Sequence, residues 1–306
     1  MTVKKVLVTG SSGTIGTRLC EKLLASGYEV VGADYQPNKW NKEINDITID
    51  LDLRDKDKVL SSLPTDVDAI VHLAANARVY NLVVEPDLAL DNMKTVFNVL
   101  EFARLNKTKR FLFASSREAY GNSEKMIHKE DEVEIDLCES PYTASKIAGE
   151  SLVWAYQRCY DIDTVIFRFS NVYGMYDDSD RVVPLFIRQC KADQDSVVFG
   201  REKELDFTYI DDSVGGIIKT IEKFDSVKND VYNLAYGEGT TILSVAEMIK
   251  SKLGSSNNIS ISDNRTGEVV KYVADITKAR NKIGFNPKTT IEDGIKKSIE
   301  WYAKHG

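Results

Sequence analysis

The sequence predicts an α/β protein, a doubly wound parallel sheet followed by a smaller C-terminal domain. Three observations predict it. Runs of Val, Ile and Leu alternate with helix-length amphipathic stretches as far as Asn171. A glycine-rich turn, Gly10 to Gly16, joins the first apolar run to the first amphipathic one. Beyond Asn171 the elements shorten and Gly, Asp and Asn punctuate them at Gly200, Asp211-Asp212, Gly237-Glu238-Gly239 and Gly254–Asn258.

Taken in order, Val3–Thr9 reads as a buried strand, Ile15–Ala25 as a helix and Glu29–Ala33 as a second strand. Ile47–Leu51, Ala69–Leu73 and Arg110–Ser115 continue the strands, with helical stretches at Lys56–Ser61 and Met93–Leu105 between them. A helix over Ser140–Tyr160 and a strand over Asp163–Phe169 follow. Strands that are apolar throughout, rather than alternating, belong to a parallel sheet covered on both faces. The last helix, Ile291–Tyr302, carries apolar residues at helical spacing. No internal repeat or low-complexity linker divides the chain, so the second unit interleaves with the end of the first. The expected partition is 1–171, completed by about 212–236, for the larger domain, and 172–211 with 237–306 for the smaller.

Composition narrows the function classes. The chain has 306 residues, 42% hydrophobic and 28% charged, ordinary values for a globular protein. No apolar run reaches the roughly 18 residues of a membrane helix, and the short apolar N-terminus runs straight into the glycine turn. The expectation is a cytoplasmic protein with no membrane partner. The four cysteines (Cys20, Cys138, Cys159, Cys190) and three histidines are scattered without metal-ligand spacing, so no metal site is expected. A net charge of −7 with no basic block argues against nucleic acid.

Gly10-Ser11-Ser12-Gly13-Thr14-Ile15-Gly16 has the context of a dinucleotide site, a strand before it and a helix after. Glycine permits the turn and lets backbone N–H groups approach a pyrophosphate at the helix N-terminus. Asp34, at the end of the second strand and 18 residues beyond Gly16, can accept the adenosine ribose hydroxyls. Its charge would repel a 2′-phosphate, and Tyr35-Gln36 offers no arginine to receive one, which favours NAD over NADP.

Tyr142 and Lys146 stand four apart on one helix face. A phenol titrates near ~10, too high for a base at neutral pH. A nearby ammonium and a nicotinamide cation would lower that value and so allow proton abstraction from a hydroxyl. Ser115-Ser116 ends the fifth strand, on the sheet edge where doubly wound proteins bind ligands.

The glycine spacing, three residues apart each time, resembles the short-chain dehydrogenase/reductase superfamily, with its Rossmann sheet. Asp52-Leu53-Arg54-Asp55 is similar to that superfamily's adenine-contacting segment. His72-Leu73-Ala74-Ala75 resembles its cofactor-lining fourth strand end, and Asn92 falls in a segment resembling its structural Asn-Val-x-Gly-Thr helix. Together with Ser116, Tyr142 and Lys146 in this order, the resemblance implies a catalytic Ser-Tyr-Lys group. It also implies a cofactor site that includes Gly10, Gly13, Thr14, Ile15, Gly16, Asp34, Asp52, Leu53, Leu73, Ala74, Ala75 and Asn92.

Arg168-Phe169-Ser170-Asn171-Val172-Tyr173-Gly174 and Asp206-Phe207-Thr208-Tyr209-Ile210-Asp211-Asp212 resemble extended members of the superfamily, the nucleotide-sugar epimerases and dehydratases. Arg265-Thr266-Gly267-Glu268 and Ile283-Gly284-Phe285-Asn286-Pro287 extend the likeness to the C-terminus. It implies a substrate-binding C-terminal domain and a nucleotide-sugar substrate. Asn171 would then hydrogen-bond the substrate's phosphate or sugar and Arg265 the diphosphate or adjoining ribose, with Arg181 and Val182 at the substrate-domain helix start. Most relatives carry Arg just before the DFxYVDD element; Leu205 stands there here, so that either Arg201, Lys203 or Arg181 binds the diphosphate or the diphosphate is held differently.

The chemistry turns on Arg117-Glu118. The resemblance to 4,6-dehydratases would require Asp-Glu; without the Asp the leaving hydroxyl lacks its acid. Glu118 keeps a UDP-glucuronate decarboxylase open as the alternative. Arg181, where many 4-epimerases have Asn, could hold a C6 carboxylate. The expected enzyme is an NAD-dependent 4-epimerase of a UDP-sugar such as UDP-glucuronate or UDP-glucose, working through a 4-keto intermediate. An ordinary reductase would not need the extended C-terminal half, nor a sensor the Ser-Tyr-Lys group. The family resemblance further implies a homodimer through the Met93–Leu105 and Ser140–Tyr160 helices.

Overall fold

The computed structural model describes residues 3–305, so Met1, Thr2 and Gly306 of the terminal segments lie outside the description. A seven-stranded sheet forms its larger part. Five of its strands are β1 (Lys5–Thr9), β2 (Glu29–Asp34), β3 (Thr48–Asp50), β4 (Ala69–His72) and β5 (Arg110–Ser116). The strands Asp163–Phe169 and Asp230–Leu234 extend the sheet beyond β5. From that edge inwards the order runs to β5, β4, β1, β2 and β3, and every pairing is parallel. The order reverses between β1 and β4, and a crevice opens there beyond the carboxyl ends of the strands.

Strand alternation accounts for the two covered faces. Val6 and Val8 of β1 point to one side, where they pack with Leu19 and Leu23 of helix α1 (Thr14–Ala25). Leu7 points to the other, with Ile70, Phe111, Val99, Phe102 and Val153. The Val99 and Val153 face is made by two 20-residue helices, Asp87–Asn106 and Pro141–Tyr160. The second strand starts and the first helix ends where patterning predicts. Strand β1 begins two residues later than the apolar run, because the N–H groups of Lys4 and Lys5 are both taken by the Asp68 carboxylate at 2.8 and 2.9 Å. The Asp87–Asn106 helix begins earlier than its apolar periodicity, directly after Pro86, whose φ of −65° already suits a helix start.

The remaining strands are short. Glu204–Tyr209 is the centre of a five-stranded sheet, flanked by Gly239–Thr241, Lys271–Ala274 and Asn171–Tyr173. Ile127–His128, from the loop after β5, joins the outer side of Lys271–Ala274. Ser196–Phe199 pairs with Ile259–Ser262. Asp206 fastens this region to the main sheet. Fully buried, its carboxylate accepts the N–H groups of Tyr236 at 2.9 Å and Gly237 at 2.8 Å, just past the Asp230–Leu234 strand. No helix among the described residues is long and apolar enough to cross a membrane.

Candidate active site

A cavity of about 670 Å³ lies over the carboxyl ends of the strands, between the main sheet and the C-terminal elements. Its floor at one end is the glycine turn. Gly10 has φ +73°, and a Cβ there would come within 2.8 Å of Ala74 N; a Cβ on Gly16 would come within 1.9 Å of Gly10 O. Only glycine allows the chain to pass so close. Gly13 caps α1 without a side-chain hydrogen bond, which leaves the positive end of that helix facing the cavity. Thr14, Ile15, Gly16, Leu73 and Ala75 also line it.

Asp34 sits beside the turn. One carboxylate oxygen accepts Ser12 N–H at 3.0 Å and the other Gln36 N–H at 2.9 Å, while burial pushes its pKa up. These residues fit a dinucleotide: a tight backbone cradle, an uncapped helix end for a pyrophosphate, and an anchored carboxylate for ribose hydroxyls. Asp52 lies farther out, half-exposed and ion-paired with Arg54 at 2.7 Å. Leu53 is buried, its carbonyl accepting from Asn98 at 2.9 Å. Neither lines the cavity, and neither do Ala74 or Asn92; Asp34 too lies just behind its lining, bound to the N–H groups of Ser12 and Gln36, which do line it. Asn92 has a supporting position instead. Its oxygen accepts Asn76 N–H at 2.7 Å, and its amide donates to Asn76 O and Ser145 Oγ, each at 3.1 Å. It thereby ties the segment after β4 to both long helices.

At the centre of the cavity lie Ser116, Tyr142 and Lys146. Ser116 ends β5, and its hydroxyl accepts Glu118 N–H at 3.2 Å, turning the chain into the short 3-10 helix Arg117–Tyr120. Ser140 caps the Pro141–Tyr160 helix by accepting Thr143 N–H at 3.1 Å, and Pro141 occupies its first turn. Tyr142 follows immediately, with the Ser116 hydroxyl placed to favour its phenolate. Lys146, one turn on, donates to Ala114 O at 2.8 Å, its nitrogen 5.7 Å from the Tyr142 ring centre. A further turn along, Glu150 accepts Arg168 at 2.9 and 2.7 Å and the Ser115 hydroxyl. This buried pair locks the helix to the strand end that carries Ser116.

Burial pushes the Tyr142 hydroxyl above the usual phenol value; the Ser116 hydroxyl and the guanidinium charges of Arg181 and Arg117 pull it back down, and Glu118 opposes them. Desolvation outweighs the neighbouring charges, so the phenol of the folded chain stands above its ordinary value. Burial also lowers Lys146 to about 8.

Arg117 and Glu118 line the sugar-sized space beside Ser116 and pair with each other at 2.7 Å, only 9% and 2% exposed. Glu118 also accepts Val269 N–H at 3.3 Å. The Nη1 nitrogen of Arg117 is buried without a hydrogen-bond partner among the described residues. Lys203 is tied to Glu268 in the same wall. Asn171 donates to Asp206 O at 3.2 Å and borders the space. Arg181 pairs with Asp177 at 3.4 Å at the start of the Val182–Lys191 helix, with Val182 beside it. Arg265 lies over the Phe199 ring at 3.9 Å. The sequence reading missed Arg78, Phe199, Phe207 and Glu268 as lining residues. Their place in the cavity comes from tertiary folding of separate loops, and no local spacing signals it. No group of ligands that could hold a metal occurs among the described residues.

Residues 6–235 match the model of the NAD dependent epimerase/dehydratase family. The chain is 31% identical to a putative UDP-glucose 4-epimerase of Methanocaldococcus jannaschii, over 97% of each protein. It is 30% identical to the UDP-glucose 4-epimerase of Thermotoga maritima, solved with UDP-glucose; the likeness covers 98% of this chain and 99% of that one, with a TM-score of 0.89. The UDP-glucuronic acid 4-epimerase of Bacillus cereus, solved with UDP-glucuronic acid and NAD, is 28% identical over 99% of this chain and 100% of that one, with a TM-score of 0.89.

Proposed function

We propose that this chain, which belongs to the NAD-dependent epimerase/dehydratase family, inverts the C4 centre of a UDP-linked sugar, UDP-glucuronate or UDP-glucose, through a transient 4-keto sugar. The observation that carries this reading is the union of two groups in one cavity. Ser116, Tyr142 and Lys146 meet at the end of β5, and the uncapped α1 N-terminus opens onto the same space.

Held by the glycine turn and Asp34, NAD would supply a reversible hydride acceptor for the sugar carbon. The protein's own residues do the rest. Tyr142 removes the proton from the 4-hydroxyl, and Ser116 hydrogen-bonds the same oxygen. Lys146, cationic below about pH 8, holds its charge beside the tyrosine. When the 4-keto sugar turns over in the cavity, its opposite face meets the cofactor, and Tyr142 returns the proton.

Glu118 separates this reaction from dehydration. A carboxylate that removes a C5 proton must be free to approach it. Here both oxygens of Glu118 are engaged, one by Arg117 and the other by Val269 N–H. UDP-glucuronate is favoured by Arg181, whose charge reaches Tyr142 and whose side chain is 39% exposed. A C6 carboxylate can draw it from Asp177.

The unit is taken to be a cytoplasmic homodimer. Leu90, Phe97 and Leu105 lie at 52%, 37% and 51% exposure along the Asp87–Asn106 helix, an apolar stripe that a second copy would cover. The deciding experiment follows UDP-glucuronate by NMR with the NAD-loaded protein. Conversion to the galacturonate epimer with C6 retained supports the reading. Loss of C6 to a pentose makes the protein a decarboxylase; inertness with both UDP-glucuronate and UDP-glucose removes the UDP-sugar assignment.

A further inference from the structure

Three arginines from three separate segments converge on one stretch of the cavity wall. Arg78 stands between β4 and the Val79–Val84 helix, Arg181 at the start of the Val182–Lys191 helix, and Arg265 in the loop before Lys271–Ala274. They are close enough that the charges of Arg181 and Arg265, with burial ahead of them, disfavour the charged form of Arg78. The carboxylates nearby do not satisfy all three. Asp177 is engaged by Arg181. Asp180, 71% exposed, lies 3.7 Å from Arg78 and is shared with Arg188 at 3.4 Å. Arg265 rests on aromatic rings, Phe199 at 3.9 Å and Tyr80 at 5.0 Å.

The other cations considered from sequence are unsuited to an anion here. Lys203 is bound to Glu268. Arg201 is exposed and outside the cavity lining, and Leu205 contributes only a buried apolar wall. Tyr142 feels the charge of Arg181, and Phe199, on which Arg265 rests, lines the same cavity with the apolar side chains of Leu205, Phe207 and Ile242. A ligand reaching from Tyr142 to Phe199 meets Arg181 near the first and Arg265 on the second.

We propose that Arg78, beside the Arg265 that the resemblance already places on the diphosphate or adjoining ribose, clamps the diphosphate of the nucleotide sugar, and so takes the role for which the sequence offered Arg201, Lys203 or Arg181. This rests on the nucleotide-sugar reading above. Two guanidinium groups approaching from different loops match the several oxygens of a diphosphate. The clamp is held in place from behind. Asn92 fixes Asn76, two residues before Arg78, to both long helices.

The test is calorimetric binding of UDP and UMP to the NAD-loaded wild type, Arg78→Met and Arg78→Lys, with GDP and dTDP as further probes. Arg78→Met is expected to weaken UDP by about thirty-fold, the loss of a charge-assisted contact. UMP should weaken far less, and bound NAD should not change. Arg78→Lys should recover part of the loss, because it restores the charge without the fork. Equal UDP affinity in wild type and Arg78→Met overturns the proposal while leaving the nucleotide-sugar reading intact. If wild type binds none of the three diphosphates, that reading falls, and the clamp with it.

Discussion

Replacing Lys146 by methionine should remove activity and yet make the protein more stable. Lys146 is 5% exposed, and burial lowers its pKa from 10.5 to about 8. A fall of that size corresponds to about 3 kcal/mol against the charged form in the folded state. Methionine fills a similar space without charge; it forfeits the hydrogen bond to Ala114 O, worth about 1 kcal/mol. The net gain at pH 7 is about 2 kcal/mol. At about 2.1 cal/mol/K per residue, a chain of 306 residues melts with about 0.6 kcal/mol per degree, so the gain is about 3 °C. The sign with pH follows from the lowered pKa. Between about pH 8 and 10.5 the unfolded chain binds more protons at this position than the folded one, so wild-type stability rises with pH across that window. The advantage of Lys146→Met should therefore be constant below about pH 8 and shrink above it. Urea melts of both proteins from pH 6 to 10, with turnover at pH 7.5, test this. A variant no more stable than wild type at pH 7, or a difference that does not vary with pH, would refute the burial argument.

Tyr142→Phe should keep its bound NAD and lose about 10²–10⁴ in kcat, the usual contribution of a positioned proton acceptor; steady-state rates and cofactor content measure both. Asp34→Ala should weaken NAD about tenfold through the lost ribose hydrogen bonds and leave UDP affinity unchanged, as paired titrations would show. Glu150→Leu strands Arg168 at a site where its side chain is 5% exposed, and should cost about 3–5 kcal/mol in urea unfolding. Arg168→Met combined with Glu150→Leu should recover most of that loss.

Local patterning made much of the molecule legible. Apolar strands, the glycine turn and the Tyr142–Lys146 spacing all depend on neighbours within a few residues, and each lies where the sequence puts it. What depended on tertiary partners was not legible. Glu118 could be weighed from sequence as a free acid or base, and only folding reveals Arg117 and Val269 N–H on its two oxygens. Lys146 and the nicotinamide cation were expected to lower Tyr142; burial, which no spacing in the sequence reports, raises the phenol of the folded chain and brings the lysine down to about 8. Arg78 sits in a loop of unremarkable composition, and its approach to Arg181 and Arg265 is made by segments about a hundred residues or more apart in the chain. Asn92 reads as a cofactor ligand by resemblance, whereas its amide is occupied by Asn76 and Ser145.

The two ends of the cavity differ in how they are built. Ser116, Tyr142 and Lys146 stand on one strand end and one helix, braced by the Glu150–Arg168 pair beneath them. Arg78, Arg181 and Arg265 stand on three separate segments, outside the Glu150–Arg168 pair that fixes the strand end to the helix. An insertion or exchange in one of those segments redraws what the cavity admits while the strand and helix hold their registration. Such a scaffold can acquire a new substrate range by drift in its connections, with its reactive geometry inherited unchanged.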